Sequence, residues 1–317
     1  MGSTCSITRE GVTTVSTISS ESALPTEQQT ATKLLWLDLT RKCQLACKQC
    51  YNASGPDGTH GSMRREDWLN VLDQAAACGV ERIQFIGGEP TMHLHFAELV
   101  DHALNVGLHV EVYSNLVHVS AECWEVFQRD GLSLATSYYS DQAEQHNAVT
   151  GRPSHARTRG NIERAVGLGI PLRVGIIDGG NEQRVDEVRE DLKGMGVSRI
   201  SVDHVRPFGR GAGGQGPEAA SLCGRCGTGR AVISPTGEVA PCVFSTWMGV
   251  GNVQDVPLIS ILNGTAMSEA TKSIRRAVGR GGDEDDDNSG DNSGSCGPVG
   301  DGECSPGYPS SSCSPRS

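Results

Sequence analysis

Three cysteines in one short stretch constrain this chain more than anything else in it. Cys43-Gln-Leu-Ala-Cys47-Lys-Gln-Cys50 follows directly on the apolar run 34–39, a C-x3-C-x2-C spacing. Soft thiolates gathered in one loop favour zinc, copper(I) or an iron–sulfur cluster. A closed structural zinc site takes four ligands, usually with C-x2-C pairs, and a [4Fe–4S] cluster normally takes four cysteines. Three ligands therefore leave one iron of a cluster open to something other than protein. Zinc or buried free thiols are the plainer readings of the triplet taken alone.

A chain of 317 residues is long enough for a full α/β core, arranged as one large domain and a smaller one. The net charge of −11 is uneven, because residues 283–291 alone carry six carboxylates and no base. No basic patch with interleaved aromatics stands out, which argues against nucleic acid as a partner. No apolar run approaches the roughly 18 residues of a membrane span, and no basic-then-apolar secretory signal opens the chain. Twelve cysteines in such a chain read as metal ligands rather than disulfides, in keeping with a reducing cytoplasm.

Residues 1–32 are Ser/Thr-rich without a sustained period and read as a mobile arm in which Cys5 is a bystander. From Leu34 onward, short apolar runs alternate with helical periodicity, the pattern of parallel strands with crossover helices. The runs are 34–39, 83–86, 108–113, 132–136, 171–177 and 199–205, with helices expected near 64–78, 95–106, 121–129, 157–168 and 183–195. Cys78 and Cys123 fall on helices and read as core. Chemistry in parallel α/β folds gathers at the C-terminal strand ends. There lie Gly87-Gly88-Glu89-Pro90 after the second run, Tyr113-Ser114-Asn115 after the third and Ser137 on the fourth. Two adjacent glycines let backbone approach a ligand closely, and a neighbouring carboxylate can accept from an ammonium group. Each motif alone is also an ordinary strand-ending turn. Arg152 and Arg157 read as solvated unless a carboxylate reaches them, and His146, His155 and His204 are assigned no role. Gly209-Arg-Gly-Ala-Gly-Gly, with no helix signal after it, reads as a flexible connection.

The C-x3-C-x2-C triplet with Gly87-Gly88-Glu89-Pro90 at the next strand end resembles the radical S-adenosylmethionine (radical SAM) enzymes. One departure is Gln49, where that family usually has an aromatic residue before the third cysteine; Tyr51 follows it instead. The resemblance implies a partial (β/α)6 barrel over residues 33–210. It also implies a [4Fe–4S] cluster on Cys43, Cys47 and Cys50, and SAM seated by Gly87, Gly88, Glu89, Pro90, Ser114, Asn115 and Ser137. In that family an electron from the cluster cleaves SAM to a 5′-deoxyadenosyl radical.

A second cysteine set, Cys223-Gly-Arg-Cys226 and then Cys242, has Gly237 five residues before its last member. The segments 231–234 and 238–240 flank Pro235-Thr-Gly237, turn chemistry for a hairpin that swings Cys242 back toward the pair. Zinc is the generic reading. The pattern also resembles the opening of SPASM and twitch domains, which implies an auxiliary [4Fe–4S] cluster over 211–279. The rest of the full SPASM cysteine pattern is missing, so one auxiliary cluster is expected. Arg206-Pro-Phe-Gly-Arg-Gly resembles the strand-six exit of such proteins, and Val250-Gly-Asn-Val253 a capping strand. Residues 280–317 are Gly, Ser, Pro and Asp rich and read as a disordered tail holding Cys296, Cys304 and Cys313, one of them a candidate fourth auxiliary ligand.

Radical SAM proteins with such extensions mostly modify ribosomally made peptides, by cross-linking, oxidation or epimerisation. The resemblance therefore implies a peptide substrate first, with a flavodoxin- or ferredoxin-type electron donor and an auxiliary cluster that accepts the substrate electron or ligates the substrate. The arm of 32 residues is too short for a separate leader-binding domain, which keeps a small-molecule dehydrogenase or cyclase in view. A non-catalytic metal-binding module is a third reading, in which the open three-cysteine site has no purpose.

Overall fold

The run Leu34–Asp38 forms β1, buried along its whole length. Its side chains alternate between two layers, as strand geometry requires. Leu35 and Leu37 face a core shared with the helices, while Leu34 and Trp36 face a second cluster that includes Cys226 and Cys242. The computed structural model describes residues 31–180 and 184–280. The expected arm apart from its last two residues, the tail beyond Arg280, and Cys5, Cys296, Cys304 and Cys313 lie outside the described residues.

Each of the six apolar runs is a strand: β1, β2 (Arg82–Ile86), β3 (His109–Tyr113), β4 (Leu132–Tyr138), β5 (Leu172–Asp178) and β6 (Arg199–His204). All five neighbouring pairs are parallel. The expected crossover helices are present as α1 (Arg65–Ala77), α2 (Phe96–Asn105) and α3 (Ala121–Val126), followed by α5 (His155–Gly167) and α6 (Val185–Gly194). An additional helix, α4 (Ala143–Thr150), precedes α5. Its sequence AEQHNAVT carries no clean apolar stripe, and it buries His146 and Thr150 instead. At α3 the Ser120 hydroxyl caps the helix by accepting from Cys123 N. Among the described residues β6 pairs only with β5, so the barrel stays open on that side.

The C-terminal hairpin extends this sheet instead of forming one of its own. Strand β7 (Arg230–Ile233) lies parallel to β1, and β8 (Glu238–Ala240) and β9 (Gly251–Asn252) follow antiparallel, giving the order β6-β5-β4-β3-β2-β1-β7-β8-β9. Helices α7 (Leu258–Leu262) and α8 (Thr265–Arg280) complete the described chain. Among the described residues no helix is long and apolar enough to cross a membrane.

Register and the two-residue strand repeat put Gln84, Glu111 and Arg173 on one face of the sheet, where the Arg173 guanidinium lies over the Tyr113 ring. Arg173 grips Glu111 with two hydrogen bonds of 2.8 and 2.7 Å, and Gln84 donates to the same carboxylate. Burial opposes the charge on Glu111, but the guanidinium and amide outweigh it and hold its pKa below the usual range. This polar plug is the floor on which the cavity above stands.

Candidate active site

The first cysteine triplet sits on the loop leaving β1, which is tied down on three sides. Cys43 N donates to Gly55 O, while Ala46 N and Lys48 N donate to Thr150 O and Val149 O at the end of α4. That gives the unexpected helix a purpose: its unpaired C-terminal carbonyls seat the loop. The Gly87–Pro90 turn docks from the β2 side, with Gly88 N on Thr40 O and Glu89 N on Lys42 O. A Cβ at Gly88 would stand 2.4 Å from Lys42 O, so only glycine permits this approach.

Cys43, Cys47 and Cys50 all line one cavity of about 150 Å³. Gly87, Gly88, Asn115 and Ser137 share its wall, as do Tyr51, Tyr113 and Tyr139. Glu89, Pro90 and Ser114 do not reach it. Glu89 is buried behind the wall, where it accepts from Thr91 Oγ1 at 2.7 Å and from Asn115 N at 2.8 Å. Its pKa is raised by burial. It therefore fixes the β3 exit against the β2 exit and does not project into the space. Asn115 in turn donates to Cys43 Sγ at 3.6 Å. Ser137 Oγ bonds Tyr113 Oη at 2.8 Å, so the pair forms one polar patch at the cavity edge.

Three residues passed over in the sequence belong to this site. Asn52 accepts from Cys50 Sγ at 3.0 Å and donates to Gly87 O at 3.2 Å, linking the third thiol to the glycine turn. His146 and His204 line the cavity as well. His146 is 1% exposed, its Nδ1 has no hydrogen-bond partner, and burial lowers its pKa to about 3, so it is neutral. Its position beside the cysteine loop comes from α4, which the sequence pattern did not reveal. His155 lies off the cavity, bonding Tyr138 Oη at 2.8 Å, and Arg152 and Arg157 are exposed.

The Gly209–Gly214 segment is not a flexible connection, contrary to its composition. Residues 209–212 form a 3-10 turn packed on the cysteine loop. Gly209 has φ +55°, and a Cβ there would meet Tyr51 O at 2.3 Å. Gly209 and Gly211 serve close approach, whereas a Cβ at Gly213 or Gly214 would meet nothing.

Burial pushes the thiols of Cys43 and Cys47 up to about 12, with Glu89 adding to the effect at Cys43 and Cys50 adding to it at Cys47. Thiolates at such positions need a positive partner, and iron supplies one. The donor type, the shared cavity and the hydrogen bonds to Cys43 Sγ from Leu45 N and Asn115 fit a cluster with one iron facing the cavity.

The second triplet is enclosed. Cys226 and Cys242 are buried, Cys223 is half-buried, and none of the three lines the cavity. The β7–β8 hairpin does return Cys242 to the pair, and Gly227 N bonds Pro241 O at 2.9 Å. The Cys226 thiol hydrogen-bonds with both Cys223 and Cys242, which lowers the Cys223 pKa to about 6 and raises that of Cys226. Among the described residues no group of three or more His, Cys, Asp or Glu side chains is arranged around a metal-ion position. The case for iron at both triplets rests on donor type and on kinship.

An open parallel barrel with a three-thiol loop facing a cavity, beside a hairpin flanked by three further thiols, has the layout of a thiol-ligated metalloprotein with room for a second ligand at its first site. Residues 37–194 match the Radical SAM superfamily and residues 223–296 the SPASM iron–sulfur cluster-binding domain. The chain belongs to the radical SAM superfamily and carries a SPASM domain. These domains imply SAM and [4Fe–4S] clusters as cofactors. The second match runs on to Cys296, beyond the described residues. The PqqA peptide cyclase of Granulibacter bethesdensis is 24% identical over 181 residues, covering 56% of this chain and 48% of that protein. The chain thus spans about half the length of the curated relatives it matches. Streptococcus suis SuiB bound to S-adenosylmethionine shares the fold, with a TM-score of 0.65 at 15% identity, covering 78% of this chain and 68% of that one. So does anSMEcpe with bound AdoMet and the Cp18Cys peptide, with a TM-score of 0.61 at 16% identity, covering 76% and 83%.

Proposed function

We propose that this chain is a radical SAM enzyme that modifies a ribosomally made peptide in a reducing cytoplasm, with a flavodoxin- or ferredoxin-type protein as electron donor. The observation that carries the reading is the shared cavity: three thiols, the Gly87–Gly88 turn, Asn115 and Ser137 all face one space. When bound there, the cluster and SAM supply the 5′-deoxyadenosyl radical that takes a hydrogen atom from the substrate. Cys43, Cys47 and Cys50 would hold the cluster beside the space that would take SAM. Gly87 and Gly88 admit the ligand close to backbone, Asn115 steadies Cys43 and the cavity wall, and Glu89 keeps Asn115 in place. Ser137 and Tyr113 offer hydroxyls to the same space, while Tyr51, Tyr139 and Phe244 restrict water. Cys223, Cys226 and Cys242 hold an auxiliary cluster outside that space.

The peptide substrate is supported by the relatives. They include PqqA peptide cyclases, and SuiB has been solved bound to its precursor peptide SuiA. The test is anaerobic reconstitution with iron and sulfide counting, followed by SAM-cleavage assays with candidate precursor peptides. About eight irons and peptide-stimulated cleavage are expected. Stimulation by small alcohols or amines alone would replace the peptide reading with a small-molecule one, and absence of iron would remove both.

A further inference from the structure

We propose that Arg210 is a positioning residue for the SAM-binding cluster, its cation braced against the cysteine loop so as to favour the reduced, more negative state of the cluster. The inference rests on the reading of Cys43, Cys47 and Cys50 as cluster ligands.

Arg210 reaches the loop with three hydrogen bonds, each to a carbonyl. Its backbone N donates to Cys50 O at 2.9 Å, Nε to Cys47 O at 2.7 Å and Nη2 to Ser54 O at 2.7 Å. Two of those carbonyls belong to cluster ligands. The side chain is half-buried, lines the same cavity as the three thiols, and among the described residues forms no ion pair. The other arginine on this exit differs: Arg206 is paired with Asp203 at 2.7 Å. Arg210 therefore brings an uncompensated positive charge to the loop. The approach depends on Gly209 and on Gly211, where a Cβ would meet Arg206 O at 2.4 Å. The glycine-rich composition is thus what lets this arginine lie flat on the loop.

A one-electron reduction adds negative charge to a thiolate-ligated cluster. A fixed cation a few ångströms away, in surroundings of reduced dielectric, stabilises the product more than the reactant. Because the strap leads directly into the segment bearing Cys223 and Cys226, it also joins the auxiliary region to the catalytic loop.

Full-length wild type, Arg210→Gln and Arg210→Lys are reconstituted anaerobically, counted for iron and sulfide, and titrated electrochemically. The readout is the electron paramagnetic resonance signal that changes on adding SAM. Arg210→Gln is expected to keep wild-type iron but to be reduced about tenfold less favourably, about 59 mV for a one-electron couple. Arg210→Lys, which keeps the charge, is expected to return close to wild type. A Gln variant that titrates like wild type overturns the proposal, as does a Lys variant shifted as far as Gln. If Arg210→Gln fails to load iron, Arg210→Lys decides: a wild-type midpoint supports the role of the charge, and a shifted midpoint or failure to load overturns it. A wild type without iron at the first triplet sinks the underlying reading too, and the iron count tells the two failures apart.

Discussion

Cys43, Cys47 and Cys50 line a cavity of about 150 Å³, whereas Cys223, Cys226 and Cys242 are packed among Trp36, Leu222 and Val243 and reach none of it. The first set sits on a loop held by backbone hydrogen bonds from α4, the Gly87–Pro90 turn and the 209–212 strap. The second flanks a short hairpin, with Cys223 and Cys226 before β7 and Cys242 just after β8, held by apolar packing and by the pairing of β7 with β1. Among the described residues both gather three thiols, and it is the first set that faces a cavity. Ligand count alone does not separate a catalytic from an accessory site here; the surroundings of the fourth position do.

The strongest way to break this comparison is to remove each set in turn. Alanine at Cys43, Cys47 and Cys50 is expected to lose about four irons and all SAM cleavage, with the auxiliary irons retained. Alanine at Cys223, Cys226 and Cys242 is expected to lose a similar number while SAM still binds and is cleaved in the absence of substrate. Equal loss of cleavage in both variants would show the two sites to be one functional unit.

A smaller effect tests the dependence of the open site on its polar floor. Glu111→Gln leaves Arg173 buried beside a neutral amide and is expected to cost about 3–5 kcal/mol in urea unfolding. Because the Glu111 pKa is lowered in the fold, this contribution is present at neutral pH and is lost as pH falls through the folded value.

The smallest effect concerns His146. Its pKa falls from 6.5 to about 3 on burial, so the unfolded chain binds a proton that the folded chain refuses between those values. Stability is therefore constant above pH 6.5 and declines below it, by about 2 kcal/mol at pH 5. His146→Phe should flatten that part of the pH–stability curve, and the first triplet should shed iron before the second as acid is added.

The six strands, the crossover helices and both cysteine sets were legible because each rests on a local pattern: apolar runs of strand length, a helical repeat, a fixed thiol spacing. What escaped is what depends on distant partners. The α4 stretch has no apolar stripe, since its task is to offer carbonyls to Ala46 and Lys48. The Gly209–Gly214 segment has the composition of a linker, and nothing local says that its missing side chains make room for Cys50 and Tyr51. Glu89 reads as a ligand-facing carboxylate from its motif, but Thr91 and Asn115 occupy it. His146 is visible as a lone histidine only, its significance set by a cavity formed from three other elements.

The parallel pairing of β7 with β1 has a consequence for assembly. Leu34 pairs with Arg230, across all of the barrel's other strands and helices, so this contact closes a long loop, and such closures are slow. The hairpin that leads to Cys242 comes after all six barrel strands in the chain. The barrel and its cysteine loop are therefore able to take shape while the last segment is still being made, and the enclosed thiols come together at the end.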